Sequence, residues 1–431
     1  METIAAIVLF ASFLLLLWFG APIAIAIIAS SVVTFLLVLP FDVAIMTSAQ
    51  RMVTGIDNFT MLAIPLFVLS GIIMNTGGIA FRLVNFAKIL VGKLPGSLAH
   101  TNVVGNMLFG SIAGSSVASA AAMGRIMTPM QDNQGYKRTY SAAVNIASAP
   151  TGLIIPPSSV LIVYSLVSGG TSIAALFMAG YIPGILWGLG VMVVAYFMAR
   201  KENYPVSSLP TFKDVLYIIW SAIPSLLLIV IVIGGIIAGI FTATEGAAVA
   251  VLYSTVLSLI YKSLKLKDFP VILKETIEIT GMILFLITAS ALFSLIMSYM
   301  SLPQLISDAL LSITDNQVGI LLIMLLILLL VGTFMDITPA VLIFTPIFLP
   351  VAETFQMDPV HFGMVLCFAL CIGNMTPPVG SALFVGATVA DVRIEQVIKT
   401  LLPFFAVVIV VLLFVTFIPQ LSLFLPQLFG L

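Results

Sequence analysis

The apolar positions of this chain come in long runs rather than alternating pairs, and polar interruptions fall at recurring places. Runs near 3–20 and 22–40 each predict a helix; an amphipathic piece over 43–58 and a further apolar helix near 61–78 follow. The stretch 97–131 is apolar on both sides of "GSSVAS", so each arm holds about 15 residues, or about 22 Å of helix. That is short of a hydrocarbon core roughly 30 Å thick. The pattern predicts a re-entrant hairpin with its tip at Gly114–Ser116, a form tolerated at membrane depth where protein or a wet cavity surrounds it. A span over 138–167 comes next, broken by "GLIIPPSS" from Gly152, and a long helix over 171–199 closes the first half.

The same plan recurs 221 residues later, where "GNMTPPVG" starts at Gly373. This spacing also pairs Pro129 with Pro350, Pro156 with Pro377 and Pro157 with Pro378; one residue more aligns "FGAPIAIA" from Phe19 with "FTATEGAA" from Phe241. The second half reads as helices over 215–240, 244–261 and 280–300, and an outer amphipathic piece over 301–315. A second hairpin over 318–352 has its tip near "GTFMDITPA", and a broken span over 361–389 precedes a last helix. An odd number of crossings in each half inverts the repeat, the sequence signature of many secondary transporters. The expected fold class is an all-α polytopic membrane protein, an inverted structural repeat with two re-entrant helical hairpins and two discontinuous helices.

Composition agrees with a membrane solvent, at 61% hydrophobic and 8% charged residues. The net charge of -1 adds little, but the basic residues are informative by position. With the N-terminus outside, Arg82, Lys88 and Lys93, Lys137 and Arg138, the "RKENYP" and "YKSLKLKDFPVILK" stretches, and Arg393 with Lys399 all fall on the cytoplasmic side. The outer piece carries Asp308 and Asp315 without Lys or Arg, and the C-terminus ends outside. No basic residue precedes the first apolar run, which therefore reads as a retained helix rather than a cleaved signal. Cys367 and Cys371 read as buried thiols.

The proline pairs supply the candidate chemistry. Pro156 and Pro157 cannot donate to the carbonyls of Gly152 and Leu153, nor Pro377 and Pro378 to those of Gly373 and Asn374. A bare carbonyl is a hard ligand suited to sodium. The half-helix beyond each break offers about half a positive charge at its N-terminus, which favours an anion. Ser115, Ser116, Asn145 and Ser148 accompany the first break, and Asp336, Thr338, Asn374 and Thr376 the second. Asp336 at a hairpin tip reads as a cation ligand, since an intramembrane carboxylate is costly without a partner. Ser158, Ser159, Gly380 and Ser381 open the half-helices, and Arg125 lies on the arm returning from the first tip, where an anionic substrate would meet it; snorkelling of Arg125 is the plain alternative. A kink made only for packing is the corresponding alternative for the prolines. Glu245 reads as stabilising a helix N-terminus. Walker A, G-x-G-x-x-G, H-E-x-x-H and G-x-S-x-G patterns are all missing, and the two histidines, His100 and His361, sit in different repeats, so neither an ATP site nor an enzyme is expected.

Together, "FGAPIAIA", "IPLFVLSGIIMNTGG", "GSIAGSSVASAAAMG", "NIASAPTGLIIPPSS", "FTATEGAAVA" and "GNMTPPVGS" resemble the large membrane subunit of the tripartite ATP-independent periplasmic (TRAP) transporters, over essentially the whole chain. The resemblance implies a sodium-driven importer in a bacterial inner membrane, working with a small four-helix membrane subunit and a periplasmic solute-binding protein that delivers a carboxylate-bearing solute. Sialic acid is the favoured solute and a C4-dicarboxylate the next. It implies an elevator architecture, with 97–167 and 318–389 as the transport domain and 1–96, 168–317 and 390–431 as scaffold. It further implies two or more co-transported sodium ions: Ser115, Ser116, Asn145, Ser148 and Gly152 flank one site, and Gly373, Asp336, Thr338, Asn374 and Thr376 another. A stand-alone sodium-coupled dicarboxylate carrier of the same architecture is the alternative, and a scaffold or channel without coupled transport a more distant one.

Overall fold

In the computed structural model, residues 2–206, 211–314, 316–377 and 380–431 are described; Asp315 and Pro378 lie outside them. The described residues form helices and no strand. Two apolar helices, α1 (Glu2–Trp18) and α2 (Ile23–Val38), precede the amphipathic α3 (Phe41–Thr54) and α4 (Ala63–Thr76), which is entered through a 3-10 turn over Phe59–Leu62. After α5 (Ile79–Val91) come the two arms of the first hairpin, α6 (Ser97–Ala113) and α7 (Ser116–Asp132). Gly114 reverses the chain at φ +59°, a conformation glycine adopts without a side-chain penalty, and Ser115 caps α7 by accepting the Ala118 N–H at 3.3 Å. The broken segment follows as α8 (Arg138–Ser148), α9 (Thr151–Ile154) and α10 (Ser159–Val167), bent by 47° at the prolines. The first half ends with α11 (Ile173–Lys201).

In the second half, α12 (Phe212–Ile237) and α13 (Ala243–Ile260) both start on capping boxes, Thr211 with Asp214 and Thr242 with Glu245. Glu245 thus has the N-terminal role expected of it: its carboxylate accepts the Thr242 N–H at 2.8 Å. Next come α14 (Phe269–Tyr299) and α15 (Leu302–Ile313), then the second hairpin, α16 (Gln317–Phe334) and α17 (Ile337–Thr354), with Met335 and Asp336 at its tip. The second broken segment is α18 (Pro359–Asn374) and α19 (Ser381–Val389), and α20 (Ile394–Phe417) and α21 (Gln420–Leu428) complete the chain.

Among the described residues eight helices are long and apolar enough to cross a membrane, nine when the bent pair around Pro156 counts as one. The 17-residue arms of the first hairpin fall below that length, whereas the 18-residue arms of the second reach it. Two segments depart from the expected boundaries. The basic stretch after α13 is not all loop, because α14 begins at Phe269 and runs for 31 residues, and a short helix, α21, follows the last span. An offset of 222 carries α5 onto 301–313, the place of the likewise amphipathic α15.

The broken segments form the centre of the protein. Every residue of α8 from Tyr140 to Ser148 is buried, as is every residue of α18 from His361 to Asn374. The post-break half-helices cross between repeats: α10 packs on α17, and α19 on α7. Trp187 of α11 fits between the two buried helices, donating Nε1–H to the Ala147 carbonyl at 2.7 Å and setting its ring 4.6 Å from that of Phe368. The sequence grouping placed α11 and α20 with the scaffold. In the fold α11 lies mainly on α6, α9, α18, α20 and α21, and α20 on α8, α11 and α18. Both helices carry apolar residues facing the buried α8 and α18, a relation that composition does not encode.

The cleft between the two hairpin tips

The sequence has a glycine wherever a hairpin meets its own broken helix. A Cβ on Gly152 would lie 2.4 Å from Gly110 Cα, and one on Gly373 would lie 2.4 Å from Gly332 Cα. Backbones in such contact leave no room for a methyl group. Gly152 and Gly373 thereby set each break against the first arm of its hairpin, α6 or α16. The carbonyls freed by proline are partly reused locally. Ser158 donates its hydroxyl to the Leu153 carbonyl and accepts the Leu161 N–H at 3.4 Å, and the Thr376 N–H bonds the Gly373 carbonyl at 2.9 Å. Leu153 and Gly373 therefore do not present the bare oxygens that the proline positions alone suggest.

A cleft of about 370 Å³ joins the two tips. Ser115 and Ser116 line it from the first tip, Ser159 from the first break, Asp336 and Thr338 from the second tip and Asn374 from the second break. Asn374 links the repeats: its Nδ2 donates to Ser116 Oγ, while its Oδ1 accepts from Ser381 Oγ and from the Ala382 N–H at 3.1 Å. Ser381 Oγ also lies 3.3 Å from Asp336 Oδ1. Gly380 is needed beside it, since a Cβ there would stand 2.7 Å from the carbonyl oxygens of both Asn374 and Thr376. Ser159 fastens the first tip to the first break by donating to the Gly114 carbonyl at 3.0 Å. The N-termini of α7, α10 and α17 therefore open on the cleft, each presenting partial positive charge and unpaired backbone N–H groups.

Other expected residues, Asn145, Ser148 and Arg125 among them, are not part of this lining. Asn145 and Ser148 sit behind the first hairpin, bound to a residue the sequence reading passed over. Asn106 donates to Ser148 Oγ at 2.7 Å and Asn145 Oδ1 at 3.1 Å, and accepts from Ser119 Oγ at 2.7 Å; Asn145 in turn donates to the Ala120 carbonyl at 2.8 Å. This buried network ties α6, α7 and α8 together, and its signal was two asparagines, Asn102 and Asn106, one turn apart in an apolar arm. Arg125 is exposed in a separate recess of about 440 Å³, beside Arg138, which pairs with Asp132 at 2.8 Å and Asp391 at 3.3 Å. Asn75 and Glu275, also unforeseen, complete the cleft wall from α4 and α14.

The pattern of one protein family, described as the tripartite ATP-independent periplasmic transporter, DctM component, matches residues 10–421. The chain belongs to this family. Relatives of this TRAP permease include the uncharacterized protein YgiK of Salmonella typhimurium, 53% identical over 98% of both chains. The sialic acid TRAP transporter large permease protein SiaM of Vibrio cholerae is 39% identical over 96% of both. The fold also resembles the crystal structure of the Alcanivorax borkumensis YdaH transporter, with a TM-score of 0.64 across 95% of this chain and 99% of that one, at 14% identity. As a transporter permease the TRAP chain is not an enzyme, and its helices suit an inner-membrane setting. The Arg82 guanidinium after α4 stacks 3.5 Å over the ring of Tyr261, which precedes Lys262 and Lys265 in the chain.

Proposed function

We propose that this permease imports a carboxylate-bearing solute together with sodium, receiving it from a periplasmic binding protein while a separate small membrane subunit braces it. The observation that supports this most is the charge of the cleft: its lining has two carboxylates, Asp336 and Glu275, and no Lys or Arg. An anion entering such a cleft has only helix N-termini to meet it, each worth about half a charge. Bound sodium supplies the missing positive charge, and the dependence of anion binding on cation binding is then the coupling. Asp336, Ser381, Asn374 and the convergent carbonyls of Asn374 and Thr376 offer hard oxygen ligands at the second tip; Ser115 and Ser116 offer hydroxyls at the first. Two or more ions are expected on this count, with the solute against Ser159 and the tip serines.

The body built on the two hairpins, including α11 and α20, would move as an elevator against α1–α5 and α12–α15. Sialic acid is the favoured solute, on the likeness to the sialic acid permease, and a C4-dicarboxylate the next. Proteoliposomes holding the chain and its small subunit provide the test. Uptake of labelled sialic acid and of succinate is measured with and without an inward sodium gradient and the binding protein. Uptake indifferent to sodium would overturn the coupling, and uptake indifferent to the binding protein would favour the stand-alone carrier.

A further inference from the structure

The two carboxylates of the cleft stand on different walls and have different company. Asp336 belongs to the second tip and has the Ser381 hydroxyl within 3.3 Å. Glu275 stands opposite on α14, two turns from the helix start, and is exposed. Among the described residues it has no ion-pair partner: the adjacent Lys274 pairs with Glu278, 3.8 Å away. Asn75, the last residue but one of α4, shares this wall. Ile73 of α4, Leu264 and Ile272 form one apolar cluster there, which ties the start of α14 to the stretch after α13.

We propose that Glu275 is a specificity-determining residue, biasing the cleft toward acids with one carboxylate and several hydroxyls and against dicarboxylates. The proposal rests on the transport reading above. A monoanion can direct its carboxylate at the helix N-termini and a bound cation by the tips and turn its hydroxyls toward Glu275 and Asn75, which accept hydrogen bonds from them. A dicarboxylate that reaches from the tips to this wall brings its second negative charge toward Glu275; among the described residues the cleft lining has neither a lysine nor an arginine, and the neighbouring Lys274 is engaged by Glu278. Glu275 is exposed, so the repulsion is partly screened and falls further with salt.

The experiment uses the membrane complex of this chain with its small subunit and omits the binding protein, so that only the cleft selects. Calorimetry with N-acetylneuraminate and with succinate, at fixed sodium, compares the protein with Glu275→Gln and with Glu395→Gln, the latter exposed on α20 and outside the cleft lining. The expected result is a rise of about three- to tenfold in the affinity for succinate relative to N-acetylneuraminate in Glu275→Gln. The gain should shrink when choline chloride raises the ionic strength, and Glu395→Gln should leave the ratio unchanged. An unchanged ratio in Glu275→Gln, with both acids still bound, overturns the role of Glu275 alone, as does a gain insensitive to salt. Failure of the unaltered complex to bind either acid in sodium overturns this proposal, whereas the transport reading stands or falls on the uptake assay with the binding protein present.

Discussion

Replacing Gly152 by Ala tests whether the break is held in place by backbone contact. The added methyl would lie 2.4 Å from Gly110 Cα, against an ordinary contact of 3.4–4 Å, so α9 and α6 would have to separate by 1 Å or more. Neither neighbour is a flexible side chain that could turn away. Overpacking of this kind costs about 1–3 kcal/mol, and rigid backbone on both sides puts Gly152→Ala near the upper end. Gly234, also helical, has nothing within 4 Å of the same added atom, and Gly→Ala there should stabilise by up to about 1 kcal/mol through helix propensity. The two substitutions are chemically identical and opposite in expected sign. Purified in detergent, Gly152→Ala should melt several degrees below the parent and lose most of its sodium-dependent uptake, while Gly234→Ala should match or exceed the parent in both. Gly373→Ala, against Gly332, should behave like Gly152→Ala. Equal melting temperatures for Gly152→Ala and Gly234→Ala would refute the packing explanation.

Asn106→Ala removes a donor and an acceptor from a buried network and strands the Ser119 and Asn145 groups, so it should cost about 2–4 kcal/mol; a melting temperature equal to the parent's would show that water replaces the amide. Asp336→Asn should raise the sodium concentration for half-maximal uptake by about tenfold, equivalent to about 1.4 kcal/mol, which a sodium titration of uptake rates measures directly. Thr242→Ala breaks the capping box of α13 and should lower stability by about 1 kcal/mol with uptake per folded molecule unchanged.

The hairpin tips and both breaks were legible in the sequence because local chemistry dictates them: Gly114 permits the reversal, Ser115 and Ser158 cap, and Pro156 ends a helix. The tertiary partners of these residues were not legible. Gly152 reads from the sequence as the source of a free carbonyl; that its lack of a side chain also serves a contact with a residue 42 positions earlier is seen only in the folded chain. Asn145 and Ser148 read as site residues because they precede the break; that Asn145 Oδ1 and Ser148 Oγ accept from Asn106 was not legible. Glu275 was hidden for a different reason: it falls in a stretch rich in lysine that reads as a solvated connection, yet α14 runs as one helix from Phe269, with only Ile272 and Thr276 buried over its first turns.

Trp187 has a practical consequence. The chain has three tryptophans, and Trp18 and Trp220 are 88% and 74% exposed on helices apolar enough to face lipid, while Trp187 is fully buried between α8 and α18. Brominated lipid acyl chains should quench the emission of the first two and spare the third. What remains is an intrinsic optical probe, seated where the two broken helices meet, able to follow their rearrangement through a transport cycle without any introduced label.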